Sequence, residues 1–222
     1  MVSIAGSSST ATLAGLPGRA SPRPGHGRRA TPCFTPGTFI TTQRGPCPVE
    51  EVRPGDRVIT RDNGLQPVVW TGKSQFFLHD FQAEPHLLPV MIRKGAFGKD
   101  LPERDMQVSP NHRMLVGIGR TTLRKTGGEA LVAAKHLTSQ GVQTVQSRGT
   151  TYVHFMCDRH EVVLADGIWT ETFQPDDQSL KGIGNAQRLE ILEMFPALRS
   201  AEGLAGYTSA RPVVVGTNGP GV

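Results

Sequence analysis

Short apolar stretches separated by turn residues recur through the middle of the chain, and most are too short to be anything but strands. Phe34 to Thr41 sets Thr, Phe and Ile around Pro36-Gly37. Val49-Glu50-Glu51-Val52 runs into Arg53-Pro54-Gly55-Asp56, where proline presets φ and glycine can take a positive one. Arg57-Val58-Ile59-Thr60 and Pro67-Val68-Val69-Trp70-Thr71 flank Asp62-Asn63-Gly64, a hairpin signal. Leu87 to Lys94 predicts another strand, with Pro89 favouring an edge. Further strands are expected at Asp105–Val108, Arg113–Val116, Thr150–Cys157, Glu161–Leu164 and Ile168–Phe173, with Ala165-Asp166-Gly167 turning between the last two. Glu129 to Leu137 reads as a short helix or turn and faintly echoes residues 49–56, a weak sign of an internal repeat. Helical spacing is found at Asn185 to Leu198, with Asn185 as N-cap, Leu189, Leu192 and Phe195 on one face, and Pro196 near the end. The pattern predicts a mainly-β domain over 33–175, a helical extension over 176–200 and a flexible tail over 201–222.

Composition changes this picture mainly at the N-terminus. Residues 1–32 are rich in Ser, Gly, Ala, Pro and Arg with few large apolar groups. Such a segment cannot offset the entropy of ordering, so it reads as a disordered leader. The net charge is +5, and five arginines within the acid-free residues 1–49 (19, 23, 28, 29 and 44) account for all of it. The folded part is therefore neutral, which argues against a nucleic-acid partner. Three cysteines, none in a C-x-x-C spacing, fit free thiols better than a disulfide framework. No apolar run approaches the roughly 20 residues of a membrane span, and the first residues lack a secretory signal, so the default expectation is cytoplasmic.

Candidate chemistry begins at Cys33, the first residue of the predicted fold. Its backbone nitrogen belongs to the peptide bond after Pro32, so its thiol can reach the Pro32 carbonyl. The competing reading is a small buried core residue, because an unactivated thiol with a pKa of about 8.5 is a poor nucleophile. Ser109-Pro110-Asn111-His112 places a hydroxyl and an imidazole across a proline turn, able to converge on one amide. Hydrogen bonds to a peptide group, and a twist about ω, weaken its resonance, and histidine can protonate a departing nitrogen. His154 and His160 read as structural histidines on this evidence alone. Ligand-type residues show no pair at standard zinc spacing, and no metal or other cofactor is expected.

Taken together, these blocks resemble the Hint fold shared by hedgehog autoprocessing domains and inteins, and most closely bacterial stand-alone Hint-domain proteins. Cys33-Phe34-Thr35-Pro36-Gly37-Thr38 looks like the family's opening motif, and Val52-Arg53-Pro54-Gly55-Asp56-Arg57-Val58 like the next segment. Ser109-Pro110-Asn111-His112 is similar to its Thr-x-x-His motif. Asp158-Arg159-His160 through Ala165-Asp166-Gly167-Ile168-Trp169 looks like its last block. The resemblance implies a mainly-β Hint-type fold of many short strands in a pseudo-two-fold arrangement. It implies Cys33 as nucleophile of an N-to-S acyl shift at the Pro32–Cys33 bond, Ser109 hydrogen-bonding that amide, His112 as proton donor and His160 as an assisting group. The partner is then the chain's own N-terminal segment, with water, a thiol or another nucleophile as acyl acceptor. Splicing inteins end on His-Asn, whereas Glu171 and Thr172 stand at those positions, so cleavage or transfer without splicing is expected. A Hint-like β interaction module without chemistry is the alternative.

Overall fold

The structure, a computed structural model, describes residues 31–117, 128–137 and 140–214. Of the expected leader, residues 1–30 lie outside the described residues. The main sheet is built from β1 (Phe39–Thr42), β2 (Gly45–Pro48), β3 (Arg57–Thr60) and β4 (Gly64–Phe77). Helix α1 (Leu78–Ala83) leads to a second sheet containing β5 (Val90–Ile92) and β6 (Met106–Val108). The chain returns through β7 (Arg113–Gly117) and β8 (Glu129–Ala133), adds β9 (Val142–Thr144), and then forms the long β10 (Gly149–Cys157). Strands β11 (Val162–Ala165) and β12 (Ile168–Glu171) follow, then α2 (Asp177–Gly182), α3 (Asn185–Met194), α4 (Ala201–Gly206) and β13 (Val213–Val214).

Among the described residues the main sheet runs β10-β4-β3-β1-β11-β12-β7-β8-β13 with β2 on β1, and a smaller sheet runs β6-β5-β9. The fold is mainly β, as the strand pattern predicts. Its pairs are antiparallel except β8–β13. The core gathers alternate strand residues: Ile40, Val58, Val90, Val108, Met114, Val132, Phe155 and Val163 are all buried.

The faint echo in the sequence is a backbone repeat in the fold. Thr35-Pro36-Gly37-Thr38 closes a turn through Thr38 N–H to Thr35 C=O at 3.3 Å, and Ser109-Pro110-Asn111-His112 closes one through His112 N–H to Ser109 C=O at 3.0 Å. A two-stranded hairpin follows each turn, β1–β2 and β7–β8. Each hairpin ends in a 3-10 turn, Val49–Glu51 and Ala134–His136. The first residue of each 3-10 turn donates back to the last residue of its proline turn: Val49 N–H to Thr38 C=O and Ala134 N–H to His112 C=O, both 2.8 Å. Glycine serves the first turn because φ is +88° at Gly37, whereas Asn111 in the second keeps a negative φ.

Several elements differ from the sequence expectation for local reasons. Glu129–Leu137, expected as a helix or turn, is the strand β8 and its 3-10 turn, because its apolar residues pair with β7. Strand β5 is the centre of its sheet rather than an edge, since Pro89 precedes the paired residues and needs no ladder N–H. Strand β4 continues well past Thr71, through Gly72 and polar residues that hide its periodicity. Gly184, not Asn185, caps α3, and Leu189 is 54% exposed while Ile191 and Leu192 are buried. Helix α2 opens the stretch expected as a helical extension, and Asp176 caps it by accepting from the N–H groups of Gln178 and Ser179. Residues 201–214, expected as flexible tail, form α4, capped by Ser200, and β13, paired with β8; residues 215–222 lie outside the described residues.

Gly37→Ala should lower the unfolding free energy by about 1 kcal/mol through its positive φ alone, since nothing lies within 4 Å of the added methyl. Gly117→Ala, equally open but at ordinary φ, should cost nothing. Urea midpoints for the two variants check this, and equal midpoints would refute the turn assignment.

Candidate functional site

The site follows from where one short piece of chain is stitched. Phe34 pairs antiparallel with Val153 of β10 on one side and Val108 at the end of β6 on the other. The Phe34 N–H reaches the Val153 carbonyl at 2.8 Å, the reverse bond is 2.9 Å, and the Ser109 N–H reaches the Cys33 carbonyl at 2.9 Å. In antiparallel pairing, one step back on one strand faces one step forward on the other. Cys33 therefore faces Ser109 and His154, the residues following Val108 and Val153.

Both neighbours touch Cys33. Ser109 Oγ accepts the Cys33 backbone N–H at 2.9 Å and donates to the Thr31 carbonyl at 2.6 Å. One hydroxyl thus holds the N–H after Pro32 and the carbonyl before it, gripping the peptide segment that contains the Pro32–Cys33 bond. The Cys33 sulfur lies 3.2 Å from His154 Nδ1. Cys33, Ser109 and His154 are all buried. Desolvation pushes the Cys33 thiol well above its ordinary value, with the Ser109 hydrogen bond opposing and the charge of Glu171 reinforcing the rise.

His112 sits at the end of the Ser109 turn, its ring 4.3 Å from that of Phe34. The Thr170 hydroxyl lies 2.6 Å from His112 Nε2 and 2.8 Å from the Arg113 carbonyl, while His112 Nδ1 is buried without a partner among the described residues. The single Thr170 proton can point at the carbonyl or at the imidazole, and that choice decides which ring nitrogen carries hydrogen. Burial lowers the His112 pKa to about 4, partly opposed by Glu171. Burial likewise lowers His154 to about 4, opposed by Gln187. Both rings are neutral at pH 7.

A family model described as the Hint domain matches residues 32–177. The chain belongs to the Hint domain family. Solved structures that it resembles include an intein-like domain from Clostridium thermocellum, at 15% identity over 64% of this chain and 97% of that one, with a TM-score of 0.42. Another is a DnaB intein from Synechocystis, at 8% identity over 64% and 99%, with a TM-score of 0.41. Comparison with curated proteins gives no match.

The last expected residue of this Hint site, His160, is buried but engaged elsewhere. Its Nδ1 accepts the Ala210 N–H at 3.0 Å, so its ring proton is on Nε2, 3.2 Å from Glu171 Oε2. The Glu171 carboxylate, fully buried, also takes the Arg113 N–H at 2.8 Å and its guanidinium at 3.0 Å. No hydrogen bond of His160 among the described residues reaches Cys33 or Ser109. Cys33, Ser109 and His112 are thus close neighbours, and His160 belongs to an adjoining cluster around Glu171. No group of three His, Cys, Asp or Glu among the described residues is arranged to hold a metal.

His154 is the contact that the sequence reading did not assign to the site. Its signal was Gly72, the cross-strand partner of His154 inside β4. A Cβ there would lie 2.5 Å from His154 Nε2 and 2.4 Å from Trp70 Cη2, so the ring can lie over that position only if it is glycine.

Two buried neutral imidazoles make a pH prediction. Their folded-state pKa values are depressed below the unfolded value of about 6.5, so the unfolded chain binds more protons as pH falls. Their stabilisation is complete above pH 6.5 and is lost on acidification toward pH 4, on the order of 3 kcal/mol for each ring. Asp166, raised to about 6 by burial, acts in the opposite direction over part of that range, one carboxyl against two rings. Histidine resonances of 112 and 154 should titrate near pH 4 in the folded protein. A midpoint near 6.5 for either would mean that its ring reaches water.

Proposed function

We propose that this Hint domain processes its own chain at the Pro32–Cys33 bond. The family to which it belongs is one associated with autoprocessing, and the reading rests above all on the Ser109 hydroxyl gripping that peptide segment beside the Cys33 thiol. In the first step the Cys33 sulfur attacks the Pro32 carbonyl carbon, an S–C bond forms, and the thiol proton leaves. The C–N bond then breaks, and the nitrogen takes a proton to become the free amine of Cys33. His112 takes up the released thiol proton on its bare Nδ1 and passes it to that nitrogen while its Nε2–H stays on the Thr170 hydroxyl, so the ring is neutral before and after. The product is a thioester between the leader and the Cys33 side chain, with atoms otherwise unchanged. Attack on the thioester by water, a thiol or another nucleophile releases residues 1–32 and restores the thiol.

A cleft of ≈ 340 Å³ borders Pro32 and is lined also by Asn111, Arg113, Lys135 and Asp176, wide enough for a small nucleophile. Full splicing is outside the proposal. It requires an Asn side-chain nitrogen to attack its own carbonyl, and Thr172, at the position of that Asn, has no side-chain nitrogen and its hydroxyl accepts the Glu161 N–H at 3.0 Å. The second reading, a β module without chemistry, is favoured by one feature: the thiol is buried and pushed upward by desolvation.

Intact mass separates the two. Purified full-length chain incubated with dithiothreitol or hydroxylamine should lose residues 1–32, and Cys33→Ala should lose nothing. His112→Ala should slow release by about 100-fold or more, the usual scale for a general acid. An unchanged mass after prolonged incubation of the parent chain would overturn the autoprocessing reading.

A further inference from the structure

We propose that Gln187, on helix α3 and outside the segment matched to the Hint family, is a positioning residue of the Cys33 site. It holds His154 in the Nε2–H tautomer with a bare Nδ1 at the sulfur, so that His154 takes the thiol proton as Cys33 attacks. The chemistry rests on the autoprocessing reading; the hydrogen-bond order comes from the fold.

The order follows from one group that can only accept. The Lys73 carbonyl has no proton to give, and Gln187 Nε2 lies 2.6 Å from it, so the amide nitrogen of Gln187 faces Lys73. Gln187 Oε1 then faces His154 Nε2 at 3.3 Å, and an amide oxygen also only accepts. The hydrogen of this neutral ring is therefore on Nε2, which leaves the lone pair of Nδ1 directed at the Cys33 thiol, 3.2 Å away. A proton on Nδ1 would put an unshared hydrogen-bond demand on Nε2 and leave Gln187 Oε1 without its donor.

Helix α3 holds the ring as well as its hydrogen. Trp70 stacks on His154 with ring centres 5.2 Å apart and planes 18° from parallel, and Phe173 packs at 5.4 Å. The Trp70 indole N–H donates at 3.0 Å to Glu190, three residues after Gln187 and so on the same helical face. Ile191 and Leu192 bury that face against Trp70, Met156 and Phe173. Among the described residues, ionisable groups around the thiol and ring include Tyr152 of β10, Glu171 of β12 and Glu190 of α3 beyond Trp70.

In the step itself the S–H bond breaks, its proton passes to His154 Nδ1, and the S–C bond to Pro32 forms. When the C–N bond breaks, the nitrogen gains a proton from His112. Burial makes the His154 imidazolium acidic, so it releases the thiol proton to His112 Nδ1, which hands it to the nitrogen; both rings end neutral and the thiol proton is on the new amine.

Two-bond proton–nitrogen spectra of the full chain labelled in histidine nitrogen test this directly. His154 should show a protonated Nε2 and a bare Nδ1 at pH 7. Gln187→Leu should move its tautomer balance by roughly 5-fold toward Nδ1–H, the weight of one net hydrogen bond. Gln187→Glu, which keeps an acceptor on His154 Nε2 but loses the donor to the Lys73 carbonyl, should hold the ring hydrogen on Nε2. Gly72→Ala should disturb the same signals by displacing the ring, and unmoved His112 and His160 signals report that each variant is folded. A parent chain with hydrogen on Nδ1, or a Gln187→Leu chain with unchanged His154 signals, overturns the proposal. Release of residues 1–32 is read separately: a chain that never cleaves yet shows the tautomer shift sinks the autoprocessing reading and keeps the positioning role.

Discussion

Everything at the site depends on the pairing of Phe34 with two strands at once. Three backbone hydrogen bonds fix a two-residue piece of chain between β10 and the end of β6. Antiparallel geometry then brings together a thiol, a hydroxyl and an imidazole from positions 33, 109 and 154, with no further instruction from the side chains. Strand register is exact to one residue, and a slip of one would put the alternate side chains in their place. The burial of Phe34, Val108, Val153 and Phe155 in the core makes such a slip costly, because it would turn an apolar side chain toward the polar site and a polar one into the core.

The same burial decides the electrostatics. Desolvation raises the thiol and lowers both imidazoles, and in each case it is the largest cause of the shift. A separated thiolate–imidazolium pair is thereby disfavoured in the resting fold, and the site stores its reactants uncharged. Reaction in such a place cannot begin from a standing thiolate. The proposed acyl shift would therefore move the proton as the sulfur advances, and hydrogen-bond order and tautomer would weigh more than average charge. Ser109 accepts the Cys33 N–H and donates to the Thr31 carbonyl, so neither backbone group is left buried and unpaired.

The strands were legible in the sequence wherever apolar residues alternate or a turn carries its own chemistry, as at Asp62-Asn63-Gly64 and Ala165-Asp166-Gly167. The pseudo-repeat was faint because its two copies share hydrogen bonds rather than residues. Thr35-Pro36-Gly37-Thr38 and Ser109-Pro110-Asn111-His112 have only the proline in common, yet each fixes the following hairpin in the same way. Cys33, Ser109 and His112 could be picked out as candidates because each lies in a contiguous motif. His154 could not, because a single histidine in a strand carries no local mark. Its clue is a glycine on another strand, 82 positions earlier, and reading that clue requires the register of β4 on β10. Leu189 misled for a related reason: its spacing suits the apolar face of α3, but the face that docks is set by Ile191 and Leu192 against Trp70.

That docking changes where the functional unit ends. The family match stops at residue 177, whereas the hydrogen bonds that orient His154 and Trp70 begin beyond it, at Gln187 and Glu190. Tyr207 adds a hydroxyl bond to the Cys157 carbonyl, and Ala210 supplies the backbone N–H that fixes the ring of His160. Two histidines of the Hint segment thus have their tautomers set by residues outside it. The extension is small, but it sits where one proton's position separates a base from a bystander. The carbonyl of Lys73 leaves the Gln187 amide only one way to point, with its oxygen toward His154 Nε2.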